Sequence, residues 1–176
     1  MRIALPTALL LCVPVLAVVG CSKAADPAAV EVKEVKFDDL DKAITGAKGK
    51  VVVVDFWATW CGPCVKKFPN FVEMHTKYKD KGIVCISVSM DKAGPKGSYD
   101  KEKVLKFLKE QKATFPNFIV IDPDGDEEKI AKRFGLDGGI PFMAVFDKNG
   151  KKVWDSEAKK LKDEELTKFV EEQLAK

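Results

Sequence analysis

The chain is poor in histidine and arginine, and it carries no marked excess of either charge. Its 176 residues include one histidine and two arginines, and 30 basic residues face 27 acidic ones for a formal net charge of +3. Nucleic-acid partners call for a concentrated basic face; here the two signs are interspersed, so that partner is not expected. Lysine supplies nearly all of the positive charge and reads as a solubility device. A single histidine, His75, is too few to complete a mixed zinc set, and neither metal nor other cofactor is expected. The acidic turn Asp122-Pro123-Asp124-Gly125-Asp126 lacks the spacing of an EF-hand and reads as a plain loop. Internal repeats are missing too. What remains is 46% apolar, enough for one ordinary domain plus an appendage.

Charge is missing altogether between Arg2 and Lys23. Residues 3–19 are apolar except for Pro6, Thr7 and Pro14, the layout of a secretory signal. A membrane-spanning anchor is the alternative, but the run is borderline in length and holds two prolines. Its end, Leu16-Ala17-Val18-Val19-Gly20-Cys21-Ser22, resembles the lipobox of bacterial lipoproteins, with Val19 as a departure. That resemblance implies cleavage before Cys21 and lipid on its sulfur. Residues 1–20 then form the signal, 21–30 a flexible tether and 31–176 the folded domain. Such a protein works in the cell envelope or periplasm, where disulfides form.

The five cysteines sort accordingly. Cys12 leaves with the signal, and Cys21 takes the lipid. Cys85, in a strand-like run, is a small buried apolar residue. Cys61 and Cys64 make a CxxC pair. Apolar periodicity predicts strands over 32–35, 51–57, 83–90, 118–121, 142–146 and 151–154. Helices are predicted over 38–47, capped by Asp38 or Asp39, and over 63–81, 101–112, 126–134 and 163–174. Asn149-Gly150 marks a hairpin. Strands alternating with helices, then a hairpin and a closing helix, predict an α/β fold with helices flanking a central mixed sheet.

The CxxC follows a buried strand and opens a helix. Unpaired N–H groups and the positive end of the helix dipole there favour a thiolate at Cys61. Cys64 lies one turn in, within reach of the first sulfur. Gly62 and Pro63 shape the turn between them, and proline suits the first helical position. Cys61 thus attacks a substrate disulfide, and Cys64 resolves the mixed disulfide. The same spacing opens many zinc sites, but no second CxxC exists and His75 lies among apolar residues at helical spacing.

The stretch Val54-Asp55-Phe56-Trp57-Ala58-Thr59-Trp60-Cys61-Gly62-Pro63-Cys64 resembles the thioredoxin active-site signature, and Pro69 stands where thioredoxins carry a helix-kinking proline. The resemblance implies that Asp55 is a buried carboxylate with a raised pKa that moves the proton of Cys64. An Asp merely ending a strand is the plainer alternative. Trp57 and Trp60 would pack beside the motif. Ile140-Pro141 looks like the family's cis-proline loop, with Gly138-Gly139 before it. There the Ile140 backbone would pair with a client chain, beside Trp60, Gly62 and Pro63.

The span from Cys64 to Pro141 exceeds that of plain thioredoxin. The added helix and strand resemble the insertion in TlpA/ResA-like membrane-tethered thiol-disulfide oxidoreductases, and also that in peroxiredoxins. The first likeness implies a thioredoxin fold with a strand–helix insertion between the CxxC helix and the cis-proline loop. It also implies protein disulfides as substrates, a membrane thiol relay as reductant, and a role in reducing apocytochrome c. Two positions depart from the pattern. Lys67 stands where many of these proteins have glutamate, and Ser87 stands where thioredoxins have a lysine opposite the Asp. A thiol peroxidase is the alternative, although the Pro-xxx-Thr-xx-Cys motif is missing; a non-catalytic binding lipoprotein is another.

Overall fold

The computed structural model describes residues 29–95, 97, 99–121 and 123–176. The signal over 1–20, the lipidation position Cys21 and all but the end of the 21–30 tether lie outside the described residues. In order, the elements are β1 (Lys33–Val35), α1 (Phe37–Thr45), β2 (Val51–Trp57), α2 (Gly62–Tyr78), β3 (Ile83–Ser89), α3 (Lys101–Glu110), β4 (Asn117–Val120), α4 (Pro123–Phe134), β5 (Phe142–Phe146), β6 (Lys152–Asp155) and α5 (Asp163–Ala175).

The run of β2, apolar except for Asp55, requires cover on both faces, and all seven of its residues are buried. It sits inside a six-stranded sheet of order β1-β4-β3-β2-β5-β6. The β1–β4, β4–β3 and β3–β2 pairs are parallel, while β5 and β6 run antiparallel to their neighbours. Alternation along β2 divides the core. Val51, Val53 and Trp57 join Phe68 of α2, Leu108 of α3 and Val170 of α5. Val52, Val54 and Phe56 join Leu40 of α1 and Phe134 of α4 on the other side. Asp55, in phase with Val53 and Trp57, therefore projects toward the α2–α5 face.

The insertion is α3 with β4. Strand β4 enters between β1 and β3, and Asn117 pins it there. The Asn117 Nδ2 donates to the carbonyls of Ala113 (2.9 Å) and Phe115 (2.7 Å), and the Ser87 hydroxyl donates to its Oδ1 at 2.7 Å. Two local expectations are corrected. Neither Asp38 nor Asp39 caps α1: the cap position is Lys36, which lends no side chain, and the Asp126 carboxylate of α4 accepts the Phe37 N–H at 2.9 Å. Of the acidic stretch expected to be a loop, residues 123–126 instead form the first turn of α4, which begins at Pro123, while Asp122 lies outside the described residues. Helix α2 stops at Tyr78, and a 3₁₀ turn over Lys79–Lys81 carries the chain to Gly82, whose φ of 96° closes the end.

Candidate active site

Strand β2 delivers the chain to the N-terminus of α2, and Cys61 is the cap residue of that helix. Its Sγ accepts the Cys64 N–H at 3.3 Å, the backbone contact that would stabilise a thiolate. Cys61 and Cys64 are disulfide-bonded, with Cα atoms 5.2 Å apart. Cys61 keeps 6% of its surface exposed and Cys64 2%, so Cys61 is the more exposed residue of the pair. Gly62 and Pro63 are exposed beside them. Among the described residues Trp60 is the large apolar side chain left exposed, at 46%. Its indole lies against Gly94, where an added Cβ would come within 2.5 Å of Nε1.

The turn before Cys61 is held by Asp91, a residue the sequence reading did not single out. Its buried carboxylate accepts the Thr59 N–H (3.1 Å), the Thr59 hydroxyl (2.5 Å) and the Ser89 hydroxyl (2.6 Å). Asp91→Ala strips three donors of their acceptor at once. We expect a loss of about 2–4 kcal/mol in urea unfolding, with the midpoint lowered and the slope unchanged.

Beneath the pair lies a cavity of about 660 Å³. Asp55, Cys64, Lys67, Ile140 and Pro141 all line it, alongside apolar side chains such as Phe71 and Met143. The Ile140–Pro141 bond is cis. The fold thus brings Asp55 and Cys64 from β2 and α2 together with a loop some eighty positions away. Trp60, Gly62 and Pro63 do not line the cavity and sit outside its wall.

Burial pushes the Asp55 carboxyl up to about 7, and the Lys67 ammonium pulls in the opposite direction. Lys67 itself is exposed. Replacing it with Met removes that pull. The midpoint of the pH–rate curve should move to higher pH, by less than about one unit for so exposed a charge. An acid shift would overturn the assignment. Ser87 is register-paired with Asp55 across β2 and β3, and its hydroxyl serves the inserted strand. The thiol of Cys85 is fully buried and pushed well above its ordinary value, first by burial and then by the Asp55 charge. It remains a protonated packing group. His75 stacks edge-on against Phe115 at 5.1 Å, and burial holds its imidazole below the ordinary value, so it is a neutral packing residue.

A cysteine pair at a helix start, a buried carboxylate and a cis-proline loop on one mixed sheet define the thioredoxin fold with a strand–helix insertion. A family model described as redoxin matches residues 23–171, and the chain belongs to that family. The chain is 35% identical over 106 residues to the thiol-disulfide oxidoreductase ResA of Bacillus thuringiensis subsp. konkukian, a match covering 60% of this chain and 54% of that protein. ResA of Bacillus anthracis is 33% identical over 124 residues, covering 70% and 60% respectively. The chain therefore spans little more than half the length of these relatives. Among solved structures, the thioredoxin domain of a thiol-disulfide oxidoreductase from Bacteroides vulgatus superposes with a TM-score of 0.57 at 27% identity. That match covers 72% of this chain and 81% of the other.

Proposed function

We propose that the protein is a thiol-disulfide oxidoreductase that reduces protein disulfides outside the cytoplasm. One observation carries the reading: Cys61 caps α2 with its sulfur on the Cys64 N–H, while Cys64 shares a cavity with Asp55 and the cis-proline loop. In the reduced protein the Cys61 thiolate attacks one sulfur of a client disulfide. The other client sulfur leaves as a thiolate and takes a proton. The Asp55 carboxylate accepts the Cys64 thiol proton. The Cys64 thiolate then attacks the Cys61 sulfur, frees the second client thiol and leaves the Cys61–Cys64 disulfide. Client backbone pairs with Ile140, and Trp60, Gly62 and Pro63 form the exposed contact face.

The lipobox-like end of the apolar leader supports attachment to a membrane through Cys21. Among the described residues no helix is long and apolar enough to cross one. A membrane thiol relay would return electrons to the pair, and apocytochrome c cysteines would be among its clients. The test is a reduction potential with a turnover assay on oxidised insulin. A potential near that of thioredoxin, about −270 mV, with insulin reduced, supports the reading. A potential near about −120 mV, the value of the oxidant DsbA, would reverse the direction of electron flow.

A further inference from the structure

The cis-proline loop does not hold itself. Gly135 and Gly139, both at positive φ (80° and 100°), bracket a segment with no helix or strand of its own before Ile140. Its hydrogen bonds come from the turn that follows β6. Glu157 accepts the Gly138 N–H through Oε1 at 2.8 Å and the Asp137 N–H through Oε2 at 3.3 Å. On the far side of the proline, the Ser156 hydroxyl accepts the Met143 N–H at 3.0 Å, and the Ser156 N–H donates to the Met143 carbonyl at 2.9 Å. Residues 156 and 157 therefore grip the loop on both sides of Ile140–Pro141.

That turn is fixed from below. The Asp155 carboxylate is buried and accepts the N–H groups of Ala158 (2.7 Å) and Glu157 (3.2 Å) through Oδ1. Its Oδ2 meets Lys152 Nζ at 2.7 Å, and the same ammonium donates to the Phe134 carbonyl at 2.6 Å. A polar chain thus runs from the end of α4 through Lys152 and Asp155 to the backbone N–H of Glu157.

We infer that Glu157 is a positioning residue for protein substrates: it sets the pose of the Ile140 backbone by holding the amides of Asp137 and Gly138. The inference rests on the proposed reduction of protein disulfides. Glu157 touches neither sulfur, so it governs capture of an extended client chain and leaves the thiol chemistry alone. Gly138 supplies an independent handle. A Cβ there would come within 2.8 Å of Glu157 Oε1, the free end of a flexible side chain, so Gly138→Ala displaces the carboxylate while leaving the core untouched.

The test compares the full domain with Glu157→Ala, Glu157→Gln and Gly138→Ala on two substrates. One is oxidised insulin, which needs backbone pairing; the other is 5,5′-dithiobis(2-nitrobenzoate), a small disulfide that does not. Glu157→Ala and Gly138→Ala should each raise KM for insulin about tenfold, while the small-disulfide rate and the reduction potential stay within about twofold. Glu157→Gln should recover part of the loss, since its amide oxygen still accepts the Gly138 N–H. An unchanged insulin KM in both Glu157→Ala and Gly138→Ala overturns the inference, as does an equal fall on both substrates. If the unaltered protein reduces the small disulfide but not insulin, the proposed function fails first, and the inference goes with it.

Discussion

Cys61→Ser should lower kcat/KM for a protein disulfide by more than about a thousandfold, while Cys64→Ser should leave a covalent enzyme–client adduct. The asymmetry follows from where each sulfur sits. Cys61 occupies the cap position of α2, where its sulfur already accepts a backbone N–H at 3.3 Å. Negative charge is stabilised there and not one turn further in, where the dipole's influence has declined. Cys61 is also the more exposed of the two. Serine at position 61 keeps the shape but has almost no oxyanion at neutral pH, so the attack fails. Serine at position 64 leaves the attack intact and removes only the resolving thiol. Mass spectrometry without reductant reads the outcome as one client mass added to Cys64→Ser. An adduct on Cys61→Ser instead would reverse the assigned roles.

Much of this site could be read directly from the order of residues. The run over 51–57 is apolar but for one Asp, which forces a two-faced buried strand and places Asp55 in phase with Val53 and Trp57. The Cys61-Gly62-Pro63-Cys64 sequence opens a helix for local reasons, since proline suits the first turn and the Cys61 sulfur caps it. Elements built by tertiary contact were harder to read. Asp38 and Asp39 look like caps for α1, yet the acceptor for its first N–H comes from Asp126, 89 positions away. Nothing local to Asp126 signals that pairing. Asp91 lies two residues past the end of a buried strand, and its partner Thr59 belongs to a different turn. Glu157 sits in a polar stretch, Ser156 to Lys160, that resembles any solvated loop. Its partners are backbone amides, which leave no trace in side-chain pattern. The signal, the tether and Cys21 rest on sequence alone.

Asp55→Asn should make the oxidised protein more stable at about pH 8 and, in the proposed mechanism, slower in thiol–disulfide exchange at the same time. The carboxyl titrates near 7 in the fold, raised by burial from an ordinary 3.8. Between those values the unfolded chain has released its proton while the folded chain has kept it, so wild-type stability falls as pH rises through the window and levels off above it. Asparagine has no proton to lose. The variant should match the wild type at about pH 3.5 and exceed it by up to about 4 kcal/mol at about pH 8, read from urea midpoints. The catalytic consequence has the opposite sign. In the proposed mechanism, release of client from the mixed disulfide needs a base for the Cys64 proton, and the ionised form of Asp55 is assigned that part. Wild-type release should therefore quicken as pH rises through about 7, whereas the Asn variant should lose that step and run about a hundredfold slower at pH 8. Stability and rate draw on the same ionisation, so the two changes must appear together. A slower variant with no gain in stability would mean that Asp55 is not the buried acid, and a stabilised variant with an unchanged pH–rate curve would mean that another group takes the proton.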